Sequence, residues 1–377
     1  MNIKEQKQDR FLFFTIIAMI SFGLFILFSA SWVKSLEMTG GESRTYFLTS
    51  QMIKLIPAFF IFIFLTKINY RKLQFLSPYL LFISFLLLVY TKFQGCAGDS
   101  CRWLSLGPIS FQTSDVARFS MIIFLASYID NNYKYMQQFF KGILVPLAAI
   151  APIALMIIIQ PDNSTTLIML MIAFIMLFIG GASLIQLATI GALSIGAIGI
   201  FILNEKNYAL GRILSFLDPS SSATVGYQSS QAMIGLKQGG LSGMGIGESI
   251  QKYSYLPETH TDFIFAIIGE EMGFITGVIL MIAYYIIFYR AVQISKKSND
   301  IFGILLSIGF GLSITIYAFI NIGVVIGVIP VTGVPLPFIS YGGSSLITNL
   351  MMVAVLLNIS KAQRKINVKR WRPRVNA

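Results

Sequence analysis

The sequence predicts an all-α polytopic membrane protein with about ten transmembrane helices and one long extracytoplasmic loop between helices 7 and 8. Of its 377 residues, 55% are hydrophobic and only 12% are charged, which is more apolar surface than a soluble fold buries. Apolar runs of about 17 to 25 residues, the length that a spanning helix needs, recur along nearly the whole chain. We therefore expect one membrane domain over residues 1–377.

The predicted spans follow one another through short connections, with one exception. They lie near residues 11–33, 47–66, 73–91, 113–130, 142–160, 164–181, 183–203, 262–290, 301–328 and 338–360. The exception is the interval 204–261, which is rich in Ser, Gly and Gln but contains apolar stretches that predict short helices. Its segment GGLSGMGIGES lacks the glycine spacing of a dinucleotide-binding loop.

The placement of Lys and Arg orients these spans. With a cytoplasmic N-terminus, 18 of the 28 Lys and Arg residues fall on cytoplasmic loops and termini. Both termini are then cytoplasmic, and the loop 204–261 is outside. The basic tail 361–377 suits anionic lipid, and we expect no nucleic-acid partner. Cys96 and Cys101 fall on the outer side, where they can form a disulfide or stay as two free thiols.

The stretch LPETHTDFIFAIIGEEMG places Asp262 at the start of the eighth span, directly after the long loop. Charged groups at membrane segments are few, and those that are kept tend to be functional or paired. Asp262 is the best candidate for proton abstraction; a solvated aspartate at a helix start is the alternative. Glu270 and Glu271, two turns further on, suit either cation coupling or a hydrogen-bonded structural pair.

For four further residues, the sequence alone does not decide between a structural and a functional role. Asp115 and Arg118 lie three apart and share a helix face, as an ion pair or as a functional site. The guanidinium of Arg102 suits phosphate oxygens, either of a substrate or of lipid headgroups. Asp162 can cap the sixth helix, which does not exclude a contact to a cation or substrate.

Six segments of the chain together resemble one protein family. They are RWLSLGPISFQTSD, QPDNSTT, FLDP, GYQSSQAMIGLKQGGLSGMGIGES, LPETHTDFIFAIIGEEMG and NIGVVIGVIPVTGVPLPFISYGGSS. In this order they resemble the SEDS family, the FtsW, RodA and SpoVE proteins of bacterial cell-wall synthesis, over most of the chain. IGEEMG after HTDFIFA is more similar to the cell-division members than to the elongation members.

The resemblance implies a single SEDS-type membrane domain that polymerises lipid II into glycan strands. It implies a class B penicillin-binding protein as transpeptidase partner, with divisome proteins, at the septum of the bacterial cytoplasmic membrane. Asp262 matches the family's essential aspartate, and Asp115 and Arg118 match a pair that is Glu and Lys in many members. The other substrate-binding or pyrophosphate-binding residues that we expect from the resemblance are Arg102, Asp162, Arg212, Gln228, Gln231 and His260. Glu270 and Glu271 are then interpreted as structural.

The expected reaction is inverting glycosyl transfer outside the membrane. Asp262 accepts the proton of an acceptor hydroxyl, while Arg102 and Arg118, with a divalent cation such as Mg²⁺ or Mn²⁺, meet the charge on the departing pyrophosphate. The alternatives are a lipid II flippase that uses Asp115, Arg118 and Glu270, a scaffold for the transpeptidase, and a RodA-type elongation polymerase.

Overall fold

The computed structural model describes residues 8–94, 102–106, 109–204, 224–253 and 255–361. Three of the residues discussed above, Cys96, Cys101 and Arg212, lie outside the described residues, as does the basic tail beyond Lys361. The disulfide and the role of Arg212 therefore stay predictions.

The described chain is almost entirely helical, which confirms the predicted fold class. Its α-helices are α1 (Arg10–Met38), α2 (Tyr46–Lys67), α3 (Arg71–Phe93), α4 (Thr113–Asn132), α5 (Val145–Ile159), α6 (Asn163–Ile179), α7 (Leu184–Asn204), α8 (Thr224–Gly239), α9 (Ile264–Lys297), α10 (Ile301–Val325) and α11 (Gly343–Lys361). A 3-10 turn (Tyr133–Tyr135) and a π-helical turn (Phe139–Leu144) precede α5. Helix α8 lies in the long loop, and the others match the predicted spans in order.

Length and composition make this a multi-pass membrane protein. Among the described residues, seven helical segments are long and apolar enough to cross a membrane: α1, α2, α3, α9, α10, α11 and the segment Phe139–Ile159, which includes α5. Helix α6 and the residues Leu184–Leu193 of α7 are apolar but shorter. Helix α4 carries Asp115 and Arg118 close to its start, so its polarity comes from residues that pack inside the protein.

The bundle is built around α10 and α11, and the outer helices present apolar side chains outward. Phe302 and Phe310 of α10 are fully buried, and nearly every residue of α11 is buried. Phe60 of α2 and Phe75 of α3, by contrast, are mostly exposed. Large apolar side chains facing outward are expected where lipid is the solvent.

Charged and polar contacts close one end of the bundle, at the start of α1 and the ends of α9 and α11. Arg290 donates to Asp9 over 2.6 Å, and the peptide nitrogen of Asp9 donates to Ser360. At the same end, Asp300 accepts from Tyr70, and burial with the nearby Asp300 carboxylate raises the pKa of Tyr70 to about 12. The helices alternate in direction, so Asp262 lies at the opposite end.

A two-stranded sheet between α3 and α4 was not predicted. Strands β1 (Trp103–Leu106) and β2 (Ile109–Gln112) pair antiparallel, with Trp103 opposite Gln112. The alternation in WLSL and ISFQ around the sequence Gly-Pro is typical of a hairpin. Each strand has only four residues, so a pattern search for membrane-length apolar runs passes over it.

The predicted continuous span that begins at Asp262 is wrong, because α9 is broken at Gly273. Gly273 has φ 77° and ψ 179°, which is not helical. A straight helix of 34 residues would be about 51 Å long, well beyond the hydrocarbon thickness of about 30 Å. Residues 264–272 thus form a short buried helix inside the protein, and the membrane-length part of α9 begins after the break.

Backbone groups of the long loop replace the helical hydrogen bonds that are lost at the break. The peptide nitrogen of Met244 donates to the Glu270 carbonyl over 2.9 Å, and that of Phe274 donates to the Gly240 carbonyl over 2.9 Å. A Cβ on Gly243 would lie 2.2 Å from the Glu271 carbonyl oxygen. The glycine-rich segment is therefore a packing element, consistent with its lack of a nucleotide-binding spacing.

Candidate functional site

A cavity of about 450 Å³ opens at the end of the bundle where Asp262 lies. Two cationic side chains, Lys54 and Arg102, and two acidic ones, Asp262 and Glu258, contribute to its wall. The remaining lining residues are Trp103, Gln112, Thr261, Gly333, Pro335, Tyr341, Gly342, Gly343, Ser344 and Ser345. Together the lining residues come from α2, the β-hairpin, the turn before α9, the segment between α10 and α11 and the first residues of α11.

The backbone that carries Asp262 is held at three successive peptide carbonyls. The carbonyl of Asp262 accepts a hydrogen bond from Asn321 Nδ2 over 2.7 Å. The carbonyls of the two residues before it accept from Ser340 Oγ over 2.6 Å and from the Tyr341 nitrogen over 2.9 Å. Three fixed carbonyls leave the peptide little freedom, so the backbone from which the Asp262 side chain projects is held in place before any substrate binds.

The turn before Asp262 has an unusual backbone conformation at Glu258, whose φ is 59°. The Glu258 carbonyl accepts from the nitrogen of Phe263 over 3.2 Å, and its carboxylate accepts from Thr261 Oγ1 over 2.6 Å. A non-glycine residue in this region costs of the order of 1–3 kcal/mol. The surrounding hydrogen bonds offset that cost and keep a second carboxylate in the cavity wall.

Arg102 lines the cavity as predicted, but two of its guanidinium nitrogens already donate hydrogen bonds to peptide carbonyls. Its Nε donates to the Gln160 carbonyl over 3.2 Å, and its Nη2 donates to the Pro161 carbonyl. Asp162, next in sequence, caps α6 by accepting from the Thr165 nitrogen over 3.3 Å, which confirms the predicted cap. Asp162 does not line the cavity.

Asp115 and Arg118 form a buried ion pair that does not line the cavity. Their closest charged atoms are 3.2 Å apart, and the Arg118 side chain is fully buried. The Arg118 guanidinium lies 3.8 Å from the Tyr317 ring centroid, and its Nη2 is 3.4 Å from Asn349 Oδ1. Asp115 lies close to Ser344, which is a lining residue of the cavity. The pair is thus one contact behind the wall.

His260, Gln228 and Gln231 also lie away from the cavity lining. The buried His260 ring packs 4.3 Å from the Phe47 ring centroid and 5.8 Å from that of Tyr341. Burial lowers the pKa of His260, while the nearby Glu258 opposes that shift and Lys34 adds to it. His260 therefore supports the turn that carries Asp262. The two glutamines lie on α8.

Glu270 and Glu271 have structural contacts, as the sequence analysis concluded. Glu270 accepts from the peptide nitrogen of Ile250 over 2.9 Å and from Ser249 Oγ over 2.5 Å. Glu271 accepts from Ser29 Oγ over 2.6 Å and pairs with Lys252 at 3.1 Å. The two carboxylates therefore fasten the long loop to α1 and to the short buried helix.

The residues described contain no group of three His, Cys, Asp or Glu side chains that is close enough to hold a metal ion. Two carboxylates, those of Asp262 and Glu258, do share the cavity wall. Mg²⁺ is often bound by one or two carboxylates together with substrate phosphates. These two residues suit such a shared ion, and the divalent cation stays a prediction.

Several lining residues were missed by the sequence analysis, among them Lys54, Gln112, Glu258 and Tyr341. Lys54 left a signal, because it is the only charged residue of α2 before Lys67 at its end. An ionisable residue in an apolar span is a candidate functional residue, on the same ground as Asp262.

Comparison with known proteins agrees with this architecture. A family model described as "Cell cycle protein", for FtsW, RodA and SpoVE, matches residues 9–365. Stage V sporulation protein E of Bacillus subtilis is 34% identical over 97% of this chain and 100% of its own length. The probable peptidoglycan glycosyltransferase FtsW of Aliivibrio salmonicida is 34% identical over 93% of this chain and 88% of its own.

Solved structures share the fold. A chain of a peptidoglycan synthase complex superposes with a TM-score of 0.77 at 24% identity, covering 95% of this chain and 99% of its own. The rod-shape-determining protein RodA of Thermus thermophilus gives a TM-score of 0.68 at 23% identity, covering 94% of this chain and 97% of its own. With a family model over nearly the whole chain and relatives above 30% identity, this protein belongs to the FtsW/RodA/SpoVE family.

Proposed function

We propose that this protein is a peptidoglycan glycosyltransferase that polymerises lipid II into glycan strands during cell division. The observation that carries the proposal is the position of Asp262: a carboxylate on a firmly held backbone, in a cavity of about 450 Å³ at one end of a membrane bundle. A cavity of this size is in the range of small-molecule sites. The names of curated relatives, probable peptidoglycan glycosyltransferases, support the same reaction.

In the proposed step, an acceptor sugar hydroxyl attacks the anomeric carbon of a disaccharide linked to polyprenyl diphosphate. The new C–O bond forms as the bond to the diphosphate oxygen breaks, so the configuration at that carbon inverts. Asp262 accepts the hydroxyl proton, which is general-base catalysis. The diphosphate leaves with the electron pair of the broken bond, and its polyprenyl chain stays in the bilayer.

Positive charge is needed where the diphosphate leaves. Arg102 lines the cavity, and one of its three guanidinium nitrogens, Nη1, is not among the two that donate to the carbonyls of residues 160 and 161. Arg118, the other cation predicted to meet this charge, lies behind the wall, where Asp115 compensates much of its charge. A divalent cation held by Asp262 and Glu258 would supply further neutralisation of the diphosphate; Mg²⁺ and Mn²⁺ are the expected ions.

The proposed setting is the bacterial cytoplasmic membrane at the septum, with both termini in the cytoplasm and Asp262 outside. The basic residues counted above support this orientation. A class B penicillin-binding protein and other divisome proteins are the proposed partners. The match to a chain of a peptidoglycan synthase complex supports a transpeptidase partner.

The test compares purified wild-type protein with the Asp262→Asn variant, each with its transpeptidase, on fluorescent lipid II in detergent. We expect glycan polymer from the wild type and a loss of about 10²-fold or more with Asp262→Asn. Glu248→Gln, an exposed residue of the same loop, makes the same change of charge and should leave the rate unchanged. Full activity of Asp262→Asn would refute the assignment of the base.

The same preparation separates the alternatives. A flippase would make no polymer in detergent but would move lipid II between the leaflets of vesicles. A scaffold would tolerate Asp262→Asn in growing cells. A fluorescent fusion at the side wall, and absent from the septum, would indicate the elongation role instead.

A further inference from the structure

Lys54 is a charged residue of the cavity that the proposed reaction does not yet use. It lies in α2 between apolar residues, and it lines the same cavity as Asp262. An ionisable residue within a membrane helix is costly and is usually kept for a function or a partner. Among the ion pairs of the described residues, none includes Lys54.

The Lys54 ammonium is held in place by neutral groups. Its Nζ donates to the hydroxyl of Tyr341 over 2.7 Å and lies 4.1 Å from the Tyr341 ring centroid. Ser50 Oγ is 3.0 Å from the same hydroxyl. A Cβ on Gly343 would lie 2.7 Å from Lys54 Cδ, so the glycine makes room for the lysine side chain. The charge is thus positioned without being neutralised.

The two arginines near the site make more contacts within the protein than Lys54 does. Arg102 donates to two peptide carbonyls, and Arg118 is fully buried against Asp115. An ammonium has three N–H donors, and the hydroxyl of Tyr341 takes one of those of Lys54. Lys54 therefore has further donors, and a charge with no direct ion-pair partner among the described residues, to offer an anion in the cavity.

We propose that Lys54 binds a phosphate group of the lipid-linked donor and stabilises the diphosphate as it leaves. The proposal rests on the proposed function, because it takes the substrate to be a polyprenyl diphosphate sugar. Lysine binds phosphate as a point charge, and a hydrogen bond between ionised groups is among the stronger polar contacts. Tyr341 connects this site to the base, since its peptide nitrogen donates to the carbonyl two residues before Asp262.

The test measures binding separately from turnover. Fluorescent lipid II is titrated into full-length protein in neutral detergent, with every variant made in the Asp262→Asn background so that no polymer forms. We expect Lys54→Met to weaken binding by about tenfold or more and Lys54→Arg by no more than about threefold. Lys34→Met is the matched control: Lys34 is an exposed lysine at the same end of the bundle that does not line the cavity, and its loss should change nothing.

Three outcomes overturn the proposal. The first is Lys54→Met binding lipid II like its parent. The second is Lys54→Arg losing as much affinity as Lys54→Met while both variants melt at the parent temperature. The third comes from repeating the titration with phosphatidylglycerol: an equal dependence on Lys54 there identifies a lipid headgroup site. Failure of the proposed function looks different, because wild-type protein would then make no polymer while binding of the diphosphate still depended on Lys54.

Discussion

Replacing Lys252 with methionine removes one partner of an ion pair in which both side chains are fully buried. Lys252 Nζ lies 3.1 Å from Glu271 Oε1, and both side chains have 0% exposure. Ser29 also donates to the Glu271 carboxylate, and the Lys252 ammonium lies 5.6 Å from the Trp32 ring centroid. The pair therefore joins three parts of the protein: the long loop, the end of α1 and the short buried helix before Gly273.

The expected cost follows from this burial. Removing one partner of a buried ion pair leaves the other charge uncompensated and costs about 3–5 kcal/mol. We expect Lys252→Met to lower the free energy of unfolding by that amount, measured by reversible unfolding in mixed micelles with increasing dodecyl sulfate. Combining Lys252→Met with Glu271→Met should recover part of the loss, because the double variant leaves no unpaired charge.

An exposed pair provides the control. Lys34 and Glu37 lie 3.3 Å apart with side chains about half exposed, and such pairs contribute roughly 0–1 kcal/mol. Lys34→Met should therefore have little effect on unfolding. A loss below about 1 kcal/mol for Lys252→Met, or full additivity of its effect with that of Glu271→Met, would refute the conclusion that this pair fastens the loop.

Three further predictions concern the supports of the site. Gly273→Ala places a Cβ 2.4 Å from the Leu241 carbonyl oxygen at a φ of 77°, so limited proteolysis should cut the long loop faster, whereas Gly191→Ala, at a position with open space, should not change the rate. Burial lowers the pKa of His260, so its neutral form is favoured in the folded state. The neutral His260 ring contributes fully to stability above the ordinary pKa of about 6.5, and this contribution is lost as pH falls below that value. The melting temperature should therefore drop from pH 7 to 5, and His260→Gln should reduce that drop. Arg118→Lys keeps the charge but loses the contact of the guanidinium with the Tyr317 ring, so it should lower both melting temperature and polymerisation; unchanged values would contradict a requirement for that contact.

Particular residues show how far sequence patterns reach. The order of the helices, the Asp162 cap and the structural role of Glu270 and Glu271 were predicted and agree with the structure. The part played by Lys54 was missed, because it depends on Tyr341, a residue 287 positions away in the chain. The break at Gly273 was missed for a similar reason: the groups that satisfy its backbone come from the loop and leave no mark on the apolar pattern of α9 itself.

The sequence by itself determined the membrane class, the order of the helices, the family and the choice of Asp262, because hydrophobic length, charge placement and local motifs are properties of neighbouring residues. Only the tertiary structure decided which charges face the cavity. It put Lys54 and Glu258 in the wall beside Asp262 and moved the buried Asp115–Arg118 pair behind it. The physical reason is that burial and pairing depend on contacts between distant segments, which periodicity and spacing do not encode.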